Sequence, residues 1–110
     1  MDKPAPLISA QSWVVLDQRT CEICFGKLEK ERREVASLTK IMTAYTVLDL
    51  IDRLGVSLES RVQIHNSVLE VSGTTANLIP GDSLSVHDLL YGMMLPSGND
   101  AGHQLAMHFG

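Results

Sequence analysis

The stretch "SLTKIMTAYTVLDLIDRLG", residues 37–55, decides the fold. Its apolar residues Leu38, Ile41, Met42, Tyr45, Leu48, Ile51 and Leu54 recur at intervals of three and four, the period of one helical face. The spacing predicts a helix over 37–54, with Gly55 as its C-terminal cap because glycine adopts the left-handed conformation without steric cost. Ala44, Val47 and Leu50 lie off that stripe, while Asp49, Asp52 and Arg53 arrive only near the end. A helix apolar over most of its girth is a buried one.

Little in the neighbouring sequence can bury it. "SWVVLDQ" (12–18) and the alternating "CEICFGK" (21–27), joined by a short polar turn, read as a β-hairpin. "RVQIH" (61–65) is a further short strand candidate. A lone hairpin is marginal in water and cannot cover such a helix. The expectation is therefore an α/β unit whose sheet is incomplete within these 110 residues.

Between hairpin and helix, "KLEKERRE" (27–34) is dense in both signs of charge and reads as a solvated connector. Downstream, "LIPGDS" (78–83) is a turn, and "SVHDLLYGMML" (85–95) a second helix with Ser85 and Asp88 in capping-box spacing. Pro96 stops it, and "SGND" (97–100) turns the chain, with Asn99 or Asp100 expected to cap a last helix through "AGHQLAMHF". Met93 and Met94 are expected in the core.

Bulk properties narrow the function. A length of 110 residues allows one domain at most, and 45% hydrophobic with 20% charged residues is enough to build a core. A net charge of −4 argues against nucleic acid or an anionic membrane surface as the main partner. No apolar run approaches the roughly 20 residues of a membrane span. The opening "MDKPAPLISA" lacks the apolar core of a secretory signal, so the chain is expected either to be cytosolic as written or to begin beyond a leader.

Cys21 and Cys24 form a C-x-x-C with no second pair. On a strand, residues three apart face opposite ways, so structural cysteines are expected rather than a redox or zinc pair. His103 and His108 stand five apart, off one helical face, and no carboxylate pair completes a metal site; no metal or other cofactor is expected.

Ser37 and Lys40 remain. A serine at a helix start is a preferred cap. It is also a nucleophile if a neighbouring base takes its proton, and a lysine one turn on serves as that base once its charge is disfavoured. The first turn of a helix, with its unpaired N–H groups, disfavours a cation. Ser97 and Asn99 pose the same choice, between a cap and a hydroxyl and amide presented to a cleft by a tight polar turn.

Taken together, S-x-x-K at 37–40 and S-x-N at 97–99, each at a helix start and some sixty residues apart, match the first two signature motifs of penicillin-binding proteins and serine β-lactamases. The chain most resembles the D-alanyl-D-alanine carboxypeptidases of peptidase family S11. The likeness runs through "SWVVLD", "RREVASLTKIMTAY" and "GTTANLIPGDSLSVHDLLYGMMLPSGNDA". It implies the N-terminal part of the transpeptidase-like fold, an antiparallel sheet with a buried helix and a helical subdomain, with residues 1–110 forming part of the catalytic domain. It implies Ser37 as acyl-ester nucleophile, Lys40 as general base, Ser97 as proton relay and Asn99 as a substrate-binding amide, with the Ser37 N–H as one oxyanion donor. The implied substrate is a peptidoglycan stem peptide ending in D-Ala-D-Ala, with β-lactams as acylating inhibitors and a place of work outside the cytoplasmic membrane. A serine β-lactamase or esterase on the same scaffold, or a non-catalytic truncated homologue, is the alternative.

Three departures stand out. Val35 replaces the proline usual before "ASLTK", and Cys21 falls at a turn position that is often glycine. The third concerns chemistry. The family's Lys-Thr-Gly strand supplies a carboxylate-binding charge and the second oxyanion donor, yet none of Lys3, Lys27, Lys30 and Lys40 is followed by Thr/Ser-Gly. Loss of one oxyanion donor typically costs about 10²–10³ in rate, so the 110 residues alone are expected to show little or no activity.

Overall fold

The computed structural model describes residues 4–110; the start of the opening segment, residues 1–3, lies outside them. Two compact units divide the chain, the first ending at Glu34 and the second running Val35–Gly110.

The first unit holds the expected hairpin. Strand β1 (Trp13–Leu16) runs antiparallel to β2 (Ile23–Lys27). Val15 faces Phe25 and Leu16 faces Ile23, so Cys24 is the extra residue of a bulge. The turn is set by Asp17, whose carboxylate accepts the N–H groups of Arg19 and Thr20. Cys21 closes it at φ 57°, a conformation that glycine adopts freely. Both thiols are free and exposed, so neither cysteine belongs to a core. Strand alternation does not govern the pair, because Cys21 lies in the turn and Cys24 in the bulge. Residues 27–34 are exposed throughout, as a solvated connector should be.

In the second unit a 3₁₀ turn, Ala36–Leu38, leads into α1 (Thr39–Leu54). Gly55 caps α1 at φ 63°, as its sequence position predicts. The chain then forms β3 (Arg61–Gln63), a 3₁₀ turn Asn66–Glu70, β4 (Ser83–Ser85), α2 (Val86–Met94) and α3 (Asn99–Phe109). Strand β4 pairs antiparallel with β3, Val62 opposite Leu84. Sequence reading missed it, because three residues at a helix start carry too little alternation to register. Ser85 ends the strand and caps α2 in the predicted capping box with Asp88.

The core gathers Val47 of α1, Val62 and Ile64 of the β3 segment, Val68, and Val86, Leu89, Met93, Ala101 and Leu105 of α2 and α3. Met93 is fully buried, whereas Met94 turns outward at 44% exposure, against the expectation for it. Helix α1 presents its other side. Val47 is buried at 4%, while Met42 and Tyr45 are 65% and 68% exposed, with Leu38, Ile41, Leu48 and Leu54 also open. The richer apolar stripe thus faces outward, leaving Ala44, Val47 and Ile51 to seat the helix on α2 and α3. Such a face is one that a further layer would cover.

Candidate active site

Helix starts and tight turns bring the four singled-out residues together. Ser37 sits in the 3₁₀ turn that opens α1, and Lys40 follows on the first α-helical turn. Ala36, just before the serine, has φ 45°, and Ser97 has φ 59°. Non-glycine residues held at positive φ cost on the order of 1–3 kcal/mol each and cluster at functional sites. Ser97 lies between α2 and α3, and Asn99 is the first residue of α3.

The side chains interlock. The Ser97 hydroxyl donates to Ser37 Oγ at 2.8 Å. Lys40 Nζ lies 3.4 Å from Ser37 Oγ and 2.7 Å from Asn99 Oδ1. On its far side, Asn99 Nδ2 donates to the Ser72 carbonyl at 2.8 Å. Ala36, Ser37, Thr39, Lys40, Val71, Asn99 and Gly102 line an open cleft of about 530 Å³. Ser37 is exposed to it, and Lys40, Ser97 and Asn99 are half-buried.

Two capping roles fail. No side-chain bond from Ser37 caps α1, whose N-cap is Leu38, because the Ser37 hydroxyl is engaged by Ser97 and Lys40 instead. Nor does Asn99 or Asp100 cap α3, whose N-cap is Gly98. The Asn99 amide is spent on Lys40 and Ser72, and the Asp100 carboxylate turns toward residues 75–78.

The residues missed by sequence reading all lie in the segment beside the S-x-N turn. The Thr74 hydroxyl donates to the Ser97 carbonyl, and the Asn99 N–H donates to the Thr74 carbonyl at 2.7 Å. Asp100 is almost fully buried. Burial alone would raise its pKa, but hydrogen bonds from the N–H groups of Ala76 and Leu78, the Thr75 hydroxyl and the Ala101 N–H outweigh it and hold the carboxyl below its usual value. The run "GTT" at 73–75 was the available signal, since consecutive threonines after glycine favour hydroxyl-bonded turns. Elsewhere, His65 and His103 share the Ser67 hydroxyl at 3.0 and 2.9 Å. Among the described residues no three His, Cys, Asp or Glu side chains group to hold a metal. Nor is any described helix long and apolar enough to cross a membrane.

A serine hydroxyl in reach of both a lysine amine and a second serine, opening on a cleft at a helix start, is an arrangement in which a base can activate a serine as a nucleophile. The chain belongs to the D-alanyl-D-alanine carboxypeptidase family, peptidase S11, whose family model matches residues 1–110. It is 37% identical over 109 residues to the D-alanyl-D-alanine carboxypeptidase of Streptomyces sp. (strain K15), covering 96% of this chain and 36% of that one. With the D-alanyl-D-alanine carboxypeptidase DacD of Escherichia coli (strain K12) it is 36% identical over 107 residues, covering 92% of this chain and 28% of the relative. The crystal structure of DacD from Francisella tularensis superposes with a TM-score of 0.88 at 36% identity, over 99% of this chain and 27% of that one. Penicillin binding protein 5 from Haemophilus influenzae gives 0.85 at 30% identity, over 99% and 33%. The fold is therefore the N-terminal part of the penicillin-binding protein fold, and the chain spans between about a quarter and just over a third of the length of these relatives.

Proposed function

We propose that these residues carry the acylation machinery of a serine D-Ala-D-Ala carboxypeptidase acting on peptidoglycan stem peptides. One observation supports this above the others: Ser97, sixty residues downstream, donates to Ser37 Oγ while Lys40 lies on the same oxygen.

The chemistry follows from what each group can donate or accept. In its neutral form the Lys40 amine accepts the Ser37 hydroxyl proton, and the freed oxygen attacks the carbonyl carbon of the penultimate D-alanine. The Ser37 N–H, among the first and unpaired N–H groups of its helical segment, receives the oxyanion. Asn99 Oδ1 orients the lysine, and the Ser97 hydroxyl relays the proton that Lys40 took from Ser37 to the departing amine. As the C–N bond breaks, the terminal D-alanine leaves and the peptide stays as an ester on Ser37. Water then hydrolyses that ester by the reverse proton path. In the family's pattern a Lys-Thr-Gly strand supplies the second oxyanion donor and the charge for the substrate carboxylate; residues 1–110 carry no Lys-Thr-Gly. Such a substrate places the work outside the cytoplasmic membrane.

Covalent trapping tests the reading. In the protein as its gene encodes it, benzylpenicillin should add its own mass to the peptide containing Ser37, as a long-lived adduct. A folded protein that never acylates, or acylates equally as Ser37→Ala, overturns the assignment. Rapid turnover of the adduct would make it a β-lactamase instead.

A further inference from the structure

Asp100 has no part in the proton path, yet its carboxylate accepts four hydrogen bonds, from the Thr75 hydroxyl and the N–H groups of Ala76, Leu78 and Ala101. Three of these reach across to the 72–78 segment, and three bonds come back from 72–78 to the S-x-N turn. The returning set is Thr74 hydroxyl to Ser97 carbonyl, Asn99 N–H to Thr74 carbonyl, and Asn99 Nδ2 to Ser72 carbonyl. The backbone lies hard against the amide: a Cβ on Gly73 would come within 2.6 Å of Asn99 Nδ2.

The clasp decides the polarity of Asn99. The Ser72 carbonyl can only accept, so it must face the NH₂ group. That turns Oδ1 toward Lys40, whose ammonium can only donate. Without Ser72 in place, the amide could flip and present its NH₂ to the lysine, leaving two donors face to face. Ser97 is held likewise, its positive φ secured through its own carbonyl by Thr74.

We propose that Asp100 is a positioning residue of this site: by clamping the Thr75–Leu78 segment it keeps Ser72 and Thr74 where they orient Asn99 and Ser97 toward Lys40 and Ser37. The inference rests on the acyl-enzyme reading above. It acts through geometry, with no contact between Asp100 and the reacting atoms.

The test compares wild type with Asp100→Asn and Thr75→Val in the protein as encoded. Asp100→Asn sets an NH₂ against N–H or O–H donors. Thr75→Val, at an exposed position, removes one donor to Asp100 and leaves the carboxylate. Amide exchange at the Asn99 N–H and side-chain NH₂ is read by NMR. The rate constant for acylation of Ser37 by a fluorescent penicillin is read per acylatable chain, across pH. The expected result is Asn99 exchange at least tenfold faster, and acylation tenfold or more slower with a displaced pH profile at unchanged final stoichiometry. Unchanged Asn99 exchange, or acylation that falls only with the folded fraction, overturns the proposal. Should Asp100→Asn fail to fold, Thr75→Val decides by the same two outcomes. If wild type takes no penicillin while Asn99 exchange responds to either variant, the functional reading falls and the positioning of Asn99 by Asp100 is upheld.

Discussion

Lys40 Nζ lies closer to the Asn99 amide oxygen, at 2.7 Å, than to the Ser37 hydroxyl it is proposed to deprotonate, at 3.4 Å. The lysine is therefore anchored by a residue on another helix and only lightly tied to its own partner. Catalytic hydrogen bonds are often long in the free enzyme and tighten when substrate binds.

Replacing the anchor should separate the two contacts. Asn99→Ala leaves the lysine charge but frees its end, and acylation by penicillin should slow by about 10- to 100-fold. Lys40→Arg keeps the charge but cannot give a neutral base, so the loss should reach about 10²–10⁴-fold. Stopped-flow acylation with fluorescent penicillin would check both. Equal effects from the two variants would contradict the division of roles.

Ser97→Gly should move stability and activity in opposite directions. Glycine relieves the positive φ of 59°, which favours the fold by roughly 1 kcal/mol. The same change deletes the hydroxyl bonded to Ser37 and should slow acylation by about 10²-fold or more. Thermal melting read beside acylation decides it; a variant both less stable and fully active would refute the account.

Acid sensitivity should trace to Asp100. Its folded pKa is depressed below the ordinary carboxylate value, so between the two the unfolded chain binds more protons. Its contribution to stability is thus complete above about pH 4 and is lost as pH falls further through the folded pKa. Asp88, held low by hydrogen bonds from the Ser85 side chain and backbone, acts in the same sense. Urea melts from pH 7 to pH 2 should show a shallower acid decline for Asp100→Asn than for wild type.

Ser85→Ala removes the hydroxyl that accepts the Asp88 N–H and closes the capping box on α2. The expected cost is about 1 kcal/mol, with an upper range near 2 because Ser85 is buried. Denaturant unfolding at pH 7 measures it, and a change below a few tenths would contradict the cap.

The outward face of α1 predicts association. Residues 1–110 expressed alone should self-associate with rising concentration, through Ile41, Met42, Tyr45 and Leu48. Met42→Asp with Tyr45→Asp should shift sedimentation toward monomer. Unchanged sedimentation would show that this face is not what sticks.

Local pattern carried much of this. The α1 boundary and its Gly55 cap, the opening hairpin and the Ser85–Asp88 box were all legible, because each depends on residues within a few positions of one another. The two motifs were legible as well, and together with the stretches around them they pointed to one family. What sequence could not say was which side of α1 faces in. A helix apolar nearly all round has no phase to read, and only packing showed Val47 inward and Tyr45 outward.

The same limit applied at the site. Ser37 looks like a cap because its neighbours in sequence form a helix start, and it is not one because Ser97, sixty residues away, takes its hydroxyl. Chain order singled out Ser37, Lys40, Ser97 and Asn99, and the fold brings their side chains together. Their orientation, and the Asp100 clasp behind it, came from tertiary contacts. A hydrogen bond depends on distance and direction in space, and residues far apart in sequence acquire those only when the chain folds.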